Sequence, residues 1–328
     1  MSISLPTQTS PASLPQTQPV PATAPPTPRA YRLAFREDPL YTWAVPIGAM
    51  VLTAVSYVAM VVALAIPTGL YLAYSTGLGQ WLENGVVIDT GSSAELGLDM
   101  SNPVIAAVAL ASLALFIPAC AIGARFGGQV SFGRLSSVTG RLRWNLLGRD
   151  AAIALALVAL GTSVSLAVSA LSGTPVQFTW TATSAALLGV ALLLVPFQAA
   201  AEEYLFRGLP QLVLGSWLKS AWWGIVLPIP LFVLGHGYGT LGLVQVGLFA
   251  LAAGILVWRT GGLEAAIALH MVNNLSGFVL ASVGIADLTA TEYSLGDTAI
   301  QAVVIAAYTG IVLWLTARKG RAAASVAA

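Results

Sequence analysis

The stretch AAEEYLFRG, Ala200–Gly208, sets Glu202, Glu203 and Arg207 at the end of a long apolar run, where each is expensive to hide from water. Further on, His236 closes LFVLGHG, and His270 and Asn274 stand in AIALHMVNNL; these are the chain's two histidines. Glu203 and Arg207 are four residues apart, so on a helix they share a face and can pair. Glu202 points about 100° away and lacks that counter-ion, which suits a general base. His270 and Asn274, also four apart, present an imidazole and a carboxamide on one face, whereas Asn273 reads as a helix-packing hydrogen bonder. A carboxylate and an imidazole can polarise a water for attack on a carbonyl, and a second imidazole with a carboxamide can stabilise the oxyanion that forms. These are the parts that amide hydrolysis requires.

The elements that must position these groups are membrane helices. Of 328 residues, 57% are hydrophobic and only 8% charged, and the mean hydropathy is +0.83. Soluble domains carry about a quarter charged residues. The expected fold is all-α, a polytopic transmembrane helix bundle of about eight spans, near 43–73, 103–124, 151–172, 183–206, 221–236, 241–258, 263–283 and 298–317. The fifth, AWWGIVLPIPLFVLGHG, is short and holds Pro228 and Pro230, so it should be kinked or broken. Cys120 has no partner in the chain, which excludes an intramolecular disulfide and a cysteine metal cluster. A net charge of +1 gives no reason to expect a nucleic-acid partner.

Charge placement orients the bundle. With eight spans, Arg29, Arg32, Arg36, Arg125, Arg134, Arg141, Arg143, Arg149, Arg207, Lys219, Arg259, Arg318, Lys319 and Arg321 fall on one side, and the opposite loops hold only acids. The positive-inside rule makes the basic side cytoplasmic, with both termini there. The loop from Gly123 to Asp150 interleaves arginines with Phe126, Phe132 and Trp144 and is expected on the membrane surface, while Trp217, Trp222 and Trp223 read as interfacial belt residues. The reaction consumes water, so a wet cavity is expected inside the bilayer, near the cytoplasmic end of the fourth span.

The motifs EEYLFR at Glu202–Arg207, FVLGH at Phe232–His236 and HMVNN at His270–Asn274 together resemble the CPBP family of intramembrane proteases, which includes CAAX prenyl endopeptidases and proteins of bacteriocin processing or immunity. The family pattern E-E-x-x-x-R, F-x-x-x-H, H-x-x-x-N is present in order. The resemblance implies an endopeptidase in which Glu202 and His236 activate water, His270 and Asn274 form the oxyanion hole, and Glu203 and Arg207 support the first helix. It implies no cofactor, with zinc held by Glu202, His236 and His270 as the alternative. No H-E-x-x-H is present.

The expected organisation is a disordered Pro/Ser/Thr-rich cytoplasmic tail over 1–40, N-terminal transmembrane helices with a basic loop over 41–180, a catalytic core over 181–283, and a last helix with a short basic tail over 284–328. The expected partners are a peptide or membrane-anchored protein substrate and the lipid bilayer, in a bacterial plasma membrane. Two other readings compete: a catalytically silent membrane adaptor or immunity protein, and a transporter. Transporters carry paired helix interruptions in two similar halves. Here the polar cluster is confined to the second half.

Overall fold

Apolar runs placed in hydrocarbon must satisfy every backbone group internally, and helices do so. The computed structural model describes residues 28–76, 100–173 and 176–326, and it is an all-α bundle; no strand forms among these residues. Seven helices are long and apolar enough to cross a membrane. They are α1 (Val45–Thr76), α2 (Pro103–Gly127), α3 (Trp144–Leu171), α4 (Ala182–Trp217), α6 (Thr240–Thr260), α7 (Glu264–Ser282) and α8 (Leu295–Val326). Between α4 and α6 lies the shorter α5, Trp222–Leu234.

Local chemistry sets the boundaries. Asn102 caps α2 by accepting from the Val104 and Ile105 amides at 2.9 and 3.4 Å, with Pro103 in the first turn. Thr181 and Ser184 form a reciprocal capping box at the head of α4. Gly261 ends α6 at φ 69°, a left-handed conformation that glycine adopts freely. α3 begins at Trp144, earlier than expected, so Arg149 and Asp150 lie within the helix, with the Arg149 Nη2 to Asp150 Oδ1 distance 2.6 Å.

α5 is broken as its prolines require, into Trp222–Val226 and Pro228–Leu234. At about 1.5 Å per residue it spans only about 20 Å, yet it carries the chain from one end of the bundle to the other. Just before it, the Ser216 carbonyl accepts from Arg36 Nε at 2.6 Å. Just beyond it, the Gly239 amide donates to the Thr291 carbonyl, between α7 and α8, at 2.9 Å. Among the described residues the chain therefore passes through the bundle eight times, seven times by long helices and once by this short broken one.

Two expectations need correction. The N-terminal tail does not extend as loose chain to residue 40, because Pro28–Glu37 forms a 3-10 helix docked on the bundle. Tyr31 and Phe35 are buried in the core, and Arg32 donates to the Leu218 carbonyl at 3.1 Å. Tyr31 Oη donates to the Leu135 carbonyl at 2.6 Å, and burial raises its pKa well above the ordinary phenol value. The rest of the tail, residues 1–27, lies outside the described residues, as does the acidic loop holding Glu83, Asp89, Glu95 and Asp99.

The basic loop between α2 and α3 is also more than a membrane-surface segment. Leu135, Ser136, Ser137 and Val138 are buried, and backbone bonds from Val138 to Gly261 (2.9 Å) and from Leu263 to Ser136 (3.0 Å) pin it to the α6–α7 turn. Phe126 and Trp144 remain exposed, as an interfacial position allows. Arg143 binds Glu264 through two nitrogens at 2.9 and 2.7 Å, a bidentate arrangement.

α1 and α2 cross closely at Gly48 and Gly127, where a Cβ on Gly127 would overlap the Gly48 carbonyl. Gly127→Ala is expected to destabilise the fold by about 1–3 kcal/mol through overpacking. The check is the thermal unfolding midpoint of the purified variant. Half of the most apolar stretch in each of α6 and α7 is buried, against 11% for α1, so the core lies around these two helices.

Candidate active site

α4 runs as a regular helix through Glu203 and then widens into a π turn at Tyr204–Gly208. Such turns are frequent at functional sites because they alter how side chains project. Arg207, inside this turn, still meets Glu203, with Nη1 2.9 Å from Oε1; the side chains are 3% and 0% exposed. The guanidinium lies 4.0 Å from the ring centre of Phe232 and 5.2 Å from that of Phe249. A cation enclosed by two aromatic faces gains electrostatic attraction where water is excluded.

The same glutamate holds the second histidine. His270 Nδ1 is 2.7 Å from Glu203 Oε1, so the Nδ1–H donates to the carboxylate and Nε2 faces the other way. That Nε2 is 3.6 Å from Glu202 Oε2, outside ordinary hydrogen-bond range. His236, just past α5, is fixed by the last turn of that helix: Nδ1 lies 2.7 Å from the Phe232 carbonyl, which can only accept, so the proton is on Nδ1 and Nε2 is left as an acceptor in the neutral ring. Phe249 packs edge-on against His270 at 4.8 Å between ring centres.

A chain of carboxamides links the remaining groups. Gln198 Nε2 donates to Glu202 Oε1 at 2.7 Å, and Asn274 Nδ2 donates to Gln198 Oε1 at 3.1 Å. Gln301 Nε2, from α8, donates to Asn273 Oδ1 at 2.7 Å, and Asn273 Nδ2 lies 3.4 Å from Asn274 Oδ1. Three helices are thus tied to one carboxylate. Glu202 Oε2 is buried and has no hydrogen-bond partner among the described residues.

His236, His270, Asn273 and Asn274 line one cavity of about 470 Å³, a volume ordinary for a ligand site. Glu202 is buried and does not line this cavity; its Oε2 lies 3.6 Å from Nε2 of His270, which does. The structure brings together Glu202, Glu203, Arg207, His270 and Asn274 by direct or near contact, and His236 joins them through the shared cavity. Asn273 packs helices, as expected, but it also lines the cavity. Among the described residues no three His, Cys, Asp or Glu side chains are grouped to hold one metal ion. No step is routed through a metal.

The expected opening needs correction. Tyr238, Gly242, Asp287, Ala290 and Tyr293 surround the outer part of the cavity, at the end of the bundle where Gly239 pairs with Thr291. Arg143, with Glu264 and Thr260, lies at the other end. The cavity opens away from the arginines because α7 enters at Glu264 and carries His270, Asn274 and Gly277 progressively toward the opposite end.

Sequence reasoning missed Gln198, Gln301 and Phe249. Gln198 carried a signal, since it lies one turn before Glu202. Gln301 and Phe249 had none, because their proximity arises only when α8 and α6 pack on α7. Residues 183–276 match the family described as Type II CAAX prenyl endopeptidase Rce1-like. That family is one of peptide hydrolases, in agreement with the resemblance carried by the motifs. No curated protein and no solved structure matches the chain. The matched segment runs from the first turn of α4 to just beyond Asn274 and includes each of the motif residues.

Proposed function

We propose that this integral membrane protein, with its Rce1-like peptide-hydrolase segment, is an intramembrane endopeptidase that attacks the scissile carbonyl with a water activated by Glu202 and His236. The observation that carries the reading is the buried Glu202 Oε2, without a hydrogen-bond partner among the described residues and 3.6 Å from Nε2 of His270, which lines a cavity with His236 and Asn274. Glu202 Oε2 takes a proton from the water while His236 Nε2 accepts the other hydrogen as a hydrogen bond. The resulting hydroxide uses an electron pair to form a bond to the carbonyl carbon, and the C=O π pair moves onto the carbonyl oxygen. The His270 ring, oriented by Glu203, and Asn274, through Nδ2, are the donors placed to meet that oxyanion. Glu202 then returns its proton to the leaving nitrogen as the C–N bond breaks.

Glu203 and Arg207 act behind the reacting atoms. Glu203 fixes the His270 ring, and Arg207 balances the buried carboxylate. Gln198 is a positioning residue: it holds one oxygen of Glu202 while the other lies beside His270, and it ties Asn274 to the same frame. Gln198→Leu is expected to lower kcat by about 10²-fold with KM nearly unchanged, since a small misplacement of a reacting group costs that much. A change in KM alone, with kcat preserved, contradicts this role.

The mechanism uses no metal. Purified protein treated with a strong chelator is expected to keep cleaving, and in 18O-labelled water the new C-terminal carboxylate should gain one solvent oxygen. Loss of cleavage with restoration by zinc contradicts it. The substrate is a peptide or a membrane-anchored protein. Both termini lie on the cytoplasmic side of a bacterial plasma membrane in this reading, because basic residues resist translocation.

A further inference from the structure

Contacts place the basic residues at one end of the bundle. Arg32 and Arg36 bind carbonyls of Leu218 and Ser216 after α4, and Arg143 binds Glu264 and the Thr260 carbonyl at the α6–α7 turn. Arg259 ends α6, and Arg318 lies near the end of α8, whose start is at the opposite end. Of the chain's 14 Lys and Arg, Arg207 is buried within the bundle, and no other falls in the segments of the opposite end. That end carries Asp287, Glu292 and Asp297. Hydrogen bonds from the Thr289 amide and hydroxyl hold the Asp287 carboxyl below the usual range, so it is anionic at neutral pH.

The cavity reaches from His270 to this acidic end, with Asp287, Ala290 and Tyr293 around its outer part. Lysine and arginine excess marks the cytoplasmic side of membrane proteins and acids contribute little, so the arginine-bearing end is retained inside. We infer that the catalytic cavity opens to the extracytoplasmic side of the membrane and receives peptide segments presented there: a translocated peptide, or the outer end of a membrane-anchored protein. Cytoplasmic peptide tails would meet the opposite face, which is occupied by the buried loop Leu135–Val138 and the Arg143–Glu264 pair.

This substrate class rests on the protease reading above, but the sidedness can be read without catalysis. Cys120 is buried and is the chain's single cysteine, so Cys120→Ala gives a background for introduced thiols. Ala290→Cys and Thr289→Cys report the mouth, and Ser220→Cys reports the arginine end; all three positions are exposed. The full chain, with and without Glu202→Ala, is expressed in intact bacterial cells and treated with a membrane-impermeant maleimide. The mouth cysteines are expected to label on intact cells and Ser220→Cys only after permeabilisation, identically in the Glu202→Ala form. Labelling of Ser220→Cys from outside, labelling from both sides, or mouth cysteines that label only after permeabilisation or not at all overturns the inference. None of these results bears on whether Glu202 is needed for cleavage, so the two readings fail separately.

Discussion

Glu202→Gln is expected to lower peptide cleavage by about 10²–10⁴-fold, the range for loss of a general base. The substitution keeps the size of the side chain and a polar partner for Gln198, so the bundle should still assemble. It removes the only group in the proposed mechanism that takes the proton from water. Of the neighbouring groups, Glu203 is engaged by His270 at 2.7 Å and Arg207 at 2.9 Å, which leaves the weaker acceptor His236 Nε2 beside the water. The measurement is a single-turnover rate on an identified substrate at matched folded protein. Activity within a few-fold of wild type contradicts the assignment of Glu202 as base.

Arg207→Ala is expected to act on stability first. Breaking one side of a buried ion pair costs about 3–5 kcal/mol, because the remaining charge is left uncompensated. Glu203 is fully buried and its Oε2 has no hydrogen-bond partner among the described residues, so it depends on Arg207 and His270 for balance. The variant also loses the guanidinium stacked at 4.0 Å on Phe232. Against a total stability of about 5–15 kcal/mol this is a large share. A clear drop in folded yield and in the unfolding midpoint is expected. Arg207→Lys should rescue little, since a compact ammonium cannot reproduce the planar stack. An unfolding midpoint equal to that of wild type would show that the pair is not a structural element.

What the sequence reveals and what it hides follow from the range of the interactions. The spans are legible because hydrocarbon demands long apolar helices, and even the broken α5 follows from Pro228 and Pro230. The Glu203–Arg207 pair is legible because one helical turn fixes it, and it survives the π turn at Tyr204–Gly208. The hydrogen bond from His270 to Glu203 is not, since it depends on how α7 packs against α4. The docked Pro28–Glu37 segment is hidden by the Pro-rich sequence before it, although Tyr31 and Ala34, three apart, with Phe35, were the sign of a buried face. The direction in which the cavity opens belongs to the whole bundle and to no single motif.

The central claim, cleavage of a peptide bond at the Glu202 centre, is tested most directly by comparing peptide termini. Membranes are taken from cells expressing the wild-type chain and from cells expressing Glu202→Ala at equal protein level. New C-termini present only with the wild type are the predicted result, and they also name the substrate. Identical sets of termini, with Glu202→Ala still restoring the phenotype of a deletion, would contradict the protease reading.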